Sequence, residues 1–255
     1  MSTSRLPLSV VIITLNEEAN LPACLESVRW AEDILVVDSG SSDRTCEVAR
    51  AYGARVIEHA WQGFGAQKQF ASDHARHDWV LNLDADERVS ERLVDSIQRA
   101  LAYSHQPAAY RCNFLHFIMG RPLRHGEAWP DPHVRLYDRR RAHWSRRPIH
   151  EHVVVDGPVR ALDGWIEHHT AASVSEIFDK INRYTDLQAA ELVQAGKPVG
   201  LRHVLLNPAW RFVRNYLLRL GMLDGVPGVV HAAQAAMTSF LKYAKAVELQ
   251  GRIEQ

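Results

Sequence analysis

The stretch Trp79–Glu87, which reads WVLNLDADE, joins a largely apolar run to an acidic turn. The run Trp79–Leu83 predicts a buried strand of a parallel sheet. Asp84-Ala85-Asp86 then lies at the carboxyl end of that strand, where open α/β sheets bind their ligands. By itself, the triplet is more typical of a solvated acidic turn before a helix, so its interpretation depends on its neighbours.

Two earlier strands end in polar clusters of the same kind. Leu8–Leu15 and Asp33–Val37 are apolar, β-branched runs, and the clusters Thr14–Glu17 and Asp38–Asp43 lie at their carboxyl ends. Between and after these runs, the pattern predicts helices at Glu18–Trp30, Thr45–Tyr52, about Ala66–Ala75 and Ser90 to about Tyr103, and a short strand at Arg55–His59. This alternation predicts an α/β fold with a doubly wound, mostly parallel sheet. Three polar clusters at one sheet edge favour a ligand site.

Carboxylates at this edge indicate a divalent cation and a phosphate-bearing ligand. Asp84 and Asp86 are hard oxygen ligands that suit Mg²⁺ or Mn²⁺, and a nucleoside diphosphate would supply further oxygens. Lys68, which follows Gly63-Phe64-Gly65, could reach a phosphate from the start of a helix, although an exposed helical lysine is an equal alternative. The candidate ligand-binding residues are Thr14, Asn16, Glu17, Asp38, Ser39, Lys68, Asp84, Ala85 and Asp86.

Composition excludes some functional classes. The chain has 255 residues with 30 basic and 30 acidic side chains, which argues against a dedicated nucleic-acid-binding protein. The three cysteines have no metal-ligand spacing, which fits a reducing compartment. The run Leu8–Leu15 is too short for a signal peptide, and no apolar stretch is long enough to span a membrane. We therefore expect a cytoplasmic protein, with attachment to a membrane surface left open.

The last third of the chain has a helical pattern with basic and apolar residues side by side. Helices are predicted at Ser175–Ala195, Arg202–Leu220 and Val229–Leu249. The middle helix carries Trp210 and several leucines beside Arg202, Arg211, Arg214 and Arg219. Such a helix can lie on an anionic membrane; packing against the main domain or a homodimer contact are the alternatives.

With these residues in view, the sequence resembles glycosyltransferase family 2. The segments on which the resemblance rests are SVVIITLNEEANLPACLESV, ILVVDSGSSDRT and WVLNLDADERVS, in that order. The resemblance implies a GT-A fold and an inverting sugar transfer from a nucleotide sugar with a divalent metal. It assigns Asp38 to the nucleoside, Asp84 to the ribose or donor phosphate, and Asp86 to the metal.

A narrower resemblance extends over most of the chain. WQGFGAQKQ, HVRLYDRRRAHW, PIHEHV and FVRNYLLRLGMLDGVPG resemble the lipopolysaccharide core β-1,4-glucosyltransferases that act on heptose. This implies UDP-glucose as donor, a lipopolysaccharide inner-core acceptor and work at the cytoplasmic face of the inner membrane. Gln69 departs from the asparagine usual after the basic residue, which weakens the assignment of Lys68 to phosphate.

An inverting transfer needs a base that deprotonates the acceptor hydroxyl. The residues alone leave Glu151, Asp131 and Glu127 open, and the resemblance favours Glu151, which follows His150. Arg135, His150 and Trp129 are candidate contacts to the acceptor or the diphosphate. His168-His169 could bind metal or diphosphate, or belong to a buried polar network.

The expected organisation is a catalytic domain at 1–172, with a nucleotide-sugar half at 1–105 and an acceptor half at 106–172, followed by a helical extension at 173–255. Another nucleotide-sugar donor or another lipid-linked or polysaccharide acceptor remains an alternative. So do two other classes, a nucleotidyltransferase and a non-catalytic sugar-binding membrane protein. The first strand ends in Thr14-Leu15-Asn16-Glu17 without glycine, which weighs against the phosphate loop of a nucleotidyltransferase.

Overall fold

The structure, a computed structural model, describes residues 6–103, 105–145, 151–169 and 174–253. The chain divides into two compact units, each described here by itself. Unit 1 comprises Met1–Phe114 and Pro132–His168, and unit 2 comprises Leu115–Asp131 and His169–Gln255. The domain boundary expected after residue 172 falls in the segment 170–173, outside the described residues, and stays a prediction.

The first half of unit 1 is a parallel sheet with intervening helices. Its strands are β1 (Leu6–Thr14), β2 (Ala31–Asp38), β3 (Arg55–Glu58) and β4 (Trp79–Asp84), in the order β3-β2-β1-β4 and all parallel. Its helices are α1 (Leu21–Ser27), α2 (Thr45–Ala51), α3 (Phe64–Asp73) and α4 (Glu91–Leu101). The mixed α/β fold with a mostly parallel sheet, expected from the sequence, is confirmed.

Strands of mixed direction complete the sheet. They are β5 (Glu87–Val89), β6 (Ala109–Ile118), β8 (Asp131–Asp138) and β11 (Val159–His168), and the order continues β4-β8-β6-β11-β5. β8 runs antiparallel to β4, and β5 runs antiparallel to β11. β7 (Arg121–Pro122) pairs with the end of β6, and β9 (Ala142–Trp144) pairs with β10 (Val153–Val155).

Unit 2 is largely helical. It contains α5 (Val174–Gln194), α6 (Leu201–Val213), a π-helical turn (Arg214–Leu218), a 3₁₀ turn (Gly221–Asp224) and α7 (Val226–Ile253). The helix expected over Arg202–Leu220 is therefore two segments, because the α-helical pattern changes to a π-helical one after Val213. Among the described residues, no helix combines the length and apolarity that crossing a membrane requires.

The core lies on both faces of the parallel strands. Val10 and Ile12 of β1 belong to one buried cluster with Leu21 and Leu25, whereas Val11 and Ile13 belong to another on the opposite face. Successive strand side chains point to opposite faces, so a strand covered on both sides is apolar without alternation. Each fully buried aliphatic side chain contributes about 1.5–3 kcal/mol, and this burial fixes where the strand ends lie.

One buried carboxylate ties the amino ends of the strands together. Asp33 accepts hydrogen bonds from Ser9 Oγ at 2.7 Å, Arg55 Nε at 2.8 Å and the backbone N–H of Arg76 at 3.0 Å. Burial alone would raise the pKa of Asp33, but these hydrogen bonds, with the Arg55 charge, outweigh it and lower the pKa below its usual value. The network joins β1, β2, β3 and the segment after α3, at the end of the sheet opposite the three polar clusters.

We predict that Asp33→Ala lowers the free energy of unfolding at neutral pH by about 3 kcal/mol, because it leaves Arg55 and Ser9 without their acceptor. The folded-state pKa is depressed, so this stabilisation is present above the unfolded pKa and is lost as the pH falls through the folded one. Urea unfolding of both proteins from neutral to acidic pH measures the difference. Asp78→Ala, which removes a half-exposed partner of Arg140, is the control and should cost less than about 1 kcal/mol. An Asp33→Ala deficit that persists undiminished in acid would contradict the assignment.

Candidate functional site

The strand register brings the three polar clusters of unit 1 to one edge of the sheet. Thr14 of β1 is paired with Asp38 of β2, and Ile13 is paired with Asp84 of β4. Three neighbouring parallel strands therefore end at the same level with Thr14, Asp38 and Asp84. This is the edge at which open α/β sheets bind ligands.

Asp38 is held as an oriented hydrogen-bond acceptor. Its carboxylate accepts hydrogen bonds from Thr14 Oγ1 at 3.1 Å, from the backbone N–H groups of Gly40 and Ser41 at 2.9 and 2.8 Å, and from Ser41 Oγ. Burial would raise the pKa of Asp38, but these donors outweigh it and lower the pKa. The carboxylate is therefore ionised and fixed at the end of β2, and its remaining lone pairs can accept from a ligand N–H or O–H.

The loops after β1 and β2 are joined by side-chain hydrogen bonds. Asn16, in the left-handed region with φ of 56°, accepts from the backbone N–H of Ser42 at 2.8 Å and donates its own N–H to Ser41 Oγ at 2.8 Å. The backbone N–H of Glu17 donates to Thr45 Oγ1 at 2.8 Å. These contacts fix the shape of the edge beside Asp38.

Ser39 and Gln67 connect this edge to α3. The buried Gln67 donates to Ser39 Oγ at 3.1 Å and to the carbonyl of His59 at 3.0 Å. The backbone N–H of Ser39 donates to the Thr14 carbonyl at 2.9 Å. Gln67 was not among the candidate ligand-binding residues predicted from the sequence. Its position next to Lys68 in GFGAQKQ was the signal that could have identified it.

Asp84 lies between two cations. Lys68 Nζ is 3.2 Å from the Asp84 carboxylate, and Arg135 Nη2 is 3.6 Å from it. Burial would raise the pKa of Asp84, but these two charges dominate and lower it to about 2. Lys68 is 3% exposed, so its alternative interpretation as an exposed helical lysine is wrong.

Glu87 is a fully buried acid that the sequence did not single out. Its carboxylate accepts from Arg135 Nη2 at 2.8 Å and from the backbone N–H of Asp84 at 3.0 Å. Arg135 also donates to Asn82 Oδ1 at 3.2 Å. Burial, with the nearby charge of Asp84, raises the pKa of Glu87 to about 7, against the opposing charge of Arg135. The signal was its place directly after Asp84-Ala85-Asp86.

Asp86 lies beside His168, with 3.4 Å between Oδ2 and Nε2. It belongs to the turn between β4 and β5, not to a strand. The alternation of side chains along a strand therefore does not place Asp86 on the same side as Asp84. Ala85 between them is buried.

The donor chemistry near this turn fits a divalent cation that shares its shell with a ligand. No group of three or more His, Cys, Asp or Glu residues in the described part of the chain is arranged to hold a metal. Asp86 and His168 nevertheless supply one oxygen and one nitrogen, and Oδ1 of Asp84 is buried without a hydrogen bond, with Lys68 Nζ at 3.2 Å as an ion-pair partner. Mg²⁺ or Mn²⁺ bound through a few side chains needs phosphate oxygens or waters for its remaining positions.

Glu151 faces the same cluster from the β9–β10 segment. Its Oε1 is 3.5 Å from Lys68 Nζ. Ser145 and His152 extend the β9–β10 pairing through the hydrogen bond from Ser145 N to the His152 carbonyl at 2.9 Å. A Cβ on Gly65 would lie 2.4 Å from the Ser145 carbonyl oxygen, so only glycine lets α3 approach this segment. His150 lies outside the described residues.

The remaining candidates belong to unit 2. Asp131 lies 2.8 Å from His116 Nε2, and Trp129 is half-buried. Glu127 accepts from Arg211 at 2.7 Å and from Arg214 at 2.9 Å. Burial would raise the pKa of Glu127, but the two guanidinium groups lower it, which makes this acid a poor proton acceptor.

Comparisons with known proteins point to the same family by sequence, and one solved structure is similar in fold. The profile of "Glycosyl transferase family 2" matches residues 9–156. An uncharacterized glycosyltransferase of Rickettsia typhi is 32% identical, with 95% of this chain and 87% of the relative covered. The lipopolysaccharide core biosynthesis glycosyltransferase LpsC of Rhizobium meliloti is 31% identical, with coverages of 94% and 92%.

Among solved structures, TarS of S. aureus superposes with a TM-score of 0.50 at 13% identity, over 92% of this chain and 54% of that one. At this identity the likeness concerns the fold alone.

Proposed function

Because the chain belongs to glycosyl transferase family 2, we propose that it is an inverting, metal-dependent hexosyltransferase that transfers glucose from UDP-glucose to an inner-core heptose of lipopolysaccharide. The proposal rests on one observation. The Asp38 carboxylate, an oriented hydrogen-bond acceptor, lies at the same sheet edge as the Asp84–Lys68–Arg135 cluster. The acceptor class rests on the sequence resemblance and on the name of the LpsC relative.

In this proposal the edge near Asp38 binds the nucleoside. The Asp38 carboxylate accepts from a base N–H or a ribose hydroxyl, and Thr14, Ser39, Asn16 and Glu17 shape the surrounding surface. Support comes from the fixed, ionised state of Asp38, which needs no reorganisation when a donor group arrives.

Lys68 and Arg135 supply positive charge on the diphosphate side, with Asp84 between them. Asp86 and His168 would hold the divalent cation, with Asp84 nearby. When bound, that cation acts as a Lewis acid that stabilises charge on the departing diphosphate. Arg135 also anchors Asp84 through Glu87, which keeps the acidic turn in place.

Glu151 is proposed as the base. The acceptor oxygen forms a bond to the anomeric carbon while the bond from that carbon to the diphosphate oxygen breaks, and the hydroxyl proton moves to the Glu151 carboxylate. The attack comes from the face opposite the leaving group, so the configuration inverts. Lys68, 3.5 Å from Glu151, orients the carboxylate.

Asp86→Ala should lower metal-dependent hydrolysis of the nucleotide sugar by at least about 100-fold and weaken Mn²⁺ binding measured by paramagnetic resonance. His168→Ala should act in the same direction. The assay compares UDP-, GDP- and ADP-sugars with Mg²⁺ and with Mn²⁺, which also selects the donor. Asp95→Ala, an exposed acid on α4, is the control. Full activity of Asp86→Ala would remove the acidic turn from the mechanism, and failure of every nucleotide sugar to bind would remove the glycosyl transfer itself.

Glu151→Gln should lower kcat by about 100-fold or more while the KM for the donor changes little, since loss of a general base affects the chemical step. Asp131→Asn serves as the comparison, because Asp131 is the remaining candidate once Glu127 is held by Arg211 and Arg214. Steady-state kinetics of both variants decide between them. A large kcat loss in Asp131→Asn with normal turnover in Glu151→Gln would transfer the role to Asp131.

The proposal also includes attachment of the protein to an anionic membrane surface. On α6, Leu201, Leu205, Leu206 and Trp210 are exposed by 56–72%. Exposed basic residues lie near them, including Lys197 and Arg202. An apolar, basic face of this kind fits the interface of anionic lipids; a second copy of the chain is the competing occupant.

Vesicle sedimentation of the full chain tests this attachment. The chain should bind phosphatidylcholine vesicles that contain phosphatidylglycerol more strongly than vesicles without it, and salt should weaken binding. Leu206→Ser with Trp210→Ser should reduce binding, whereas Tyr103→Ser, an exposed aromatic substitution in unit 1, should not. Dimer dissociation in the double variant with unchanged vesicle binding would assign the face to a homodimer instead.

A further inference from the structure

Two exposed aromatic side chains lie beside the cluster of Lys68, Asp84 and Glu151, and no step above uses them. Trp61 belongs to the loop between β3 and α3, and Phe64 is the first residue of α3. Trp61 is 46% exposed and Phe64 is 40% exposed. Single exposed apolar residues are common on protein surfaces, so this pair is informative only through its geometry and its neighbours.

The two rings form a corner. Their centroids are 4.7 Å apart and their planes are inclined by 88°, which is the edge-to-face arrangement that aromatic pairs favour. The contact restricts the side chains of both Trp61 and Phe64 although each remains exposed. The corner therefore has its shape before a ligand arrives, and little side-chain freedom is lost on binding.

The loop that carries Trp61 is fixed at both ends. At the β3 end, the backbone N–H of His59 donates to the Asp38 carbonyl at 2.8 Å, and the Gln67 side chain donates to the His59 carbonyl at 3.0 Å. At the α3 end, the Gly63 carbonyl accepts from the backbone N–H of Gln67 at 2.9 Å. Gly63 has φ of 101°, which other residues rarely adopt. Glycine thus permits the turn that separates the two rings along the chain.

The corner is continuous with the charged cluster. Lys68 Nζ lies 5.9 Å from the centroid of the Phe64 ring and 5.0 Å from that of the Trp144 ring, within the range of cation–π contacts. The next residue, Gly65, packs against the β9–β10 segment, where a Cβ on it would lie 3.5 Å from Glu151 Cβ. The exposed ring of Phe64 therefore lies beside the proposed base.

A pyranose ring is the ligand that matches this corner. One face of such a ring carries C–H groups that are apolar and slightly positive, whereas the face of an aromatic ring is apolar and slightly negative. Stacking buries apolar surface of both partners, and the sugar hydroxyls remain available to the polar groups of the cluster. A protein partner fits less well, since two rings supply only a small part of the roughly 800 Å² that each partner buries in a stable interface.

We propose that Trp61 and Phe64 form a stacking platform for a pyranose ring of the acceptor saccharide, with one of its hydroxyls directed towards Glu151. The inference rests on the proposed function, because Glu151 can receive a proton only from a sugar bound beside it. The exposed rings also lie outside the buried Lys68, which faces the donor diphosphate in the proposed reaction. The platform then selects acceptors that present an apolar ring face.

Fluorine NMR of the full chain labelled with 5-fluorotryptophan tests the platform without any turnover. The Trp61 resonance is the one that is lost in Trp61→Phe. A methyl heptoside should shift this resonance, whereas heptitol, an open-chain polyol without a ring face, should not. No shift with the heptoside, or an equal shift with heptitol, would overturn the proposal. So would a larger shift with UDP-glucose and Mn²⁺ than with the heptoside, which would assign the rings to the donor.

Kinetics of ring-deleting variants test the same platform. Trp61→Leu and Phe64→Leu keep an apolar side chain but remove the ring face. Each should raise the KM for the methyl heptoside by about tenfold, while acceptor-free hydrolysis of the nucleotide sugar is unchanged. Phe64→Tyr keeps the ring and should retain the KM of the unmodified chain. Tyr52→Leu is the matched control, because Tyr52 is 39% exposed at the end of α2.

Unchanged acceptor KM in both leucine variants, or an equal loss of acceptor-free hydrolysis, would overturn the inference. Melting temperatures should change little, because both side chains are exposed. If Phe64→Leu does not fold, Trp61→Leu decides, since Trp61 precedes the helix. Absence of hydrolysis in the unmodified chain would count against the proposed function, while the heptoside shift of the Trp61 resonance would still decide the platform.

Discussion

The contact between Lys68 and Asp84 is the constraint on which the rest of the site depends. A buried ammonium is tolerated only where carboxylates surround it, and Lys68 has Asp84 at 3.2 Å and Glu151 at 3.5 Å. It thereby joins α3, the end of β4 and the segment before β10. Gly65 is required for the same reason, because a side chain there would push α3 away from Ser145.

The parallel half of the fold could be predicted because its physics is local. Continuous apolar runs at Leu8–Leu15 and Asp33–Val37 identify strands buried on both faces, and chain order places their polar ends at one edge. The same reasoning predicts that Thr14, Asp38 and Asp84 lie together at that edge. Strand β11 was missed because only two of its three buried positions, Leu162 and Ile166, are large and apolar, and the third, between them, is Gly164.

Partners within the site could not be predicted because they depend on long-range pairing. Glu87 is opposite His168 in the β5–β11 register, and Arg135 reaches Glu87 only because β8 adds next to β4. No spacing in the sequence encodes these contacts. The position of Asp86 was equally hard to predict: β4 ends at Asp84 and β5, which pairs with β11, begins at Glu87, so Asp86 lies in the turn between them and strand alternation does not apply to it.

The charges of the cluster explain why the proposed reaction calls for a divalent cation. The cluster contains four carboxylates, those of Asp84, Asp86, Glu87 and Glu151. It contains two permanently charged cations, Lys68 and Arg135. Even with Glu87 protonated and His168 charged, the cluster is only neutral. A nucleoside diphosphate adds further negative charge to a partly buried site, where repulsion is weakly screened. In the proposed reaction, binding of the donor would therefore need positive charge that these side chains do not provide, and the Asp86–His168 pair is where a cation would supply it.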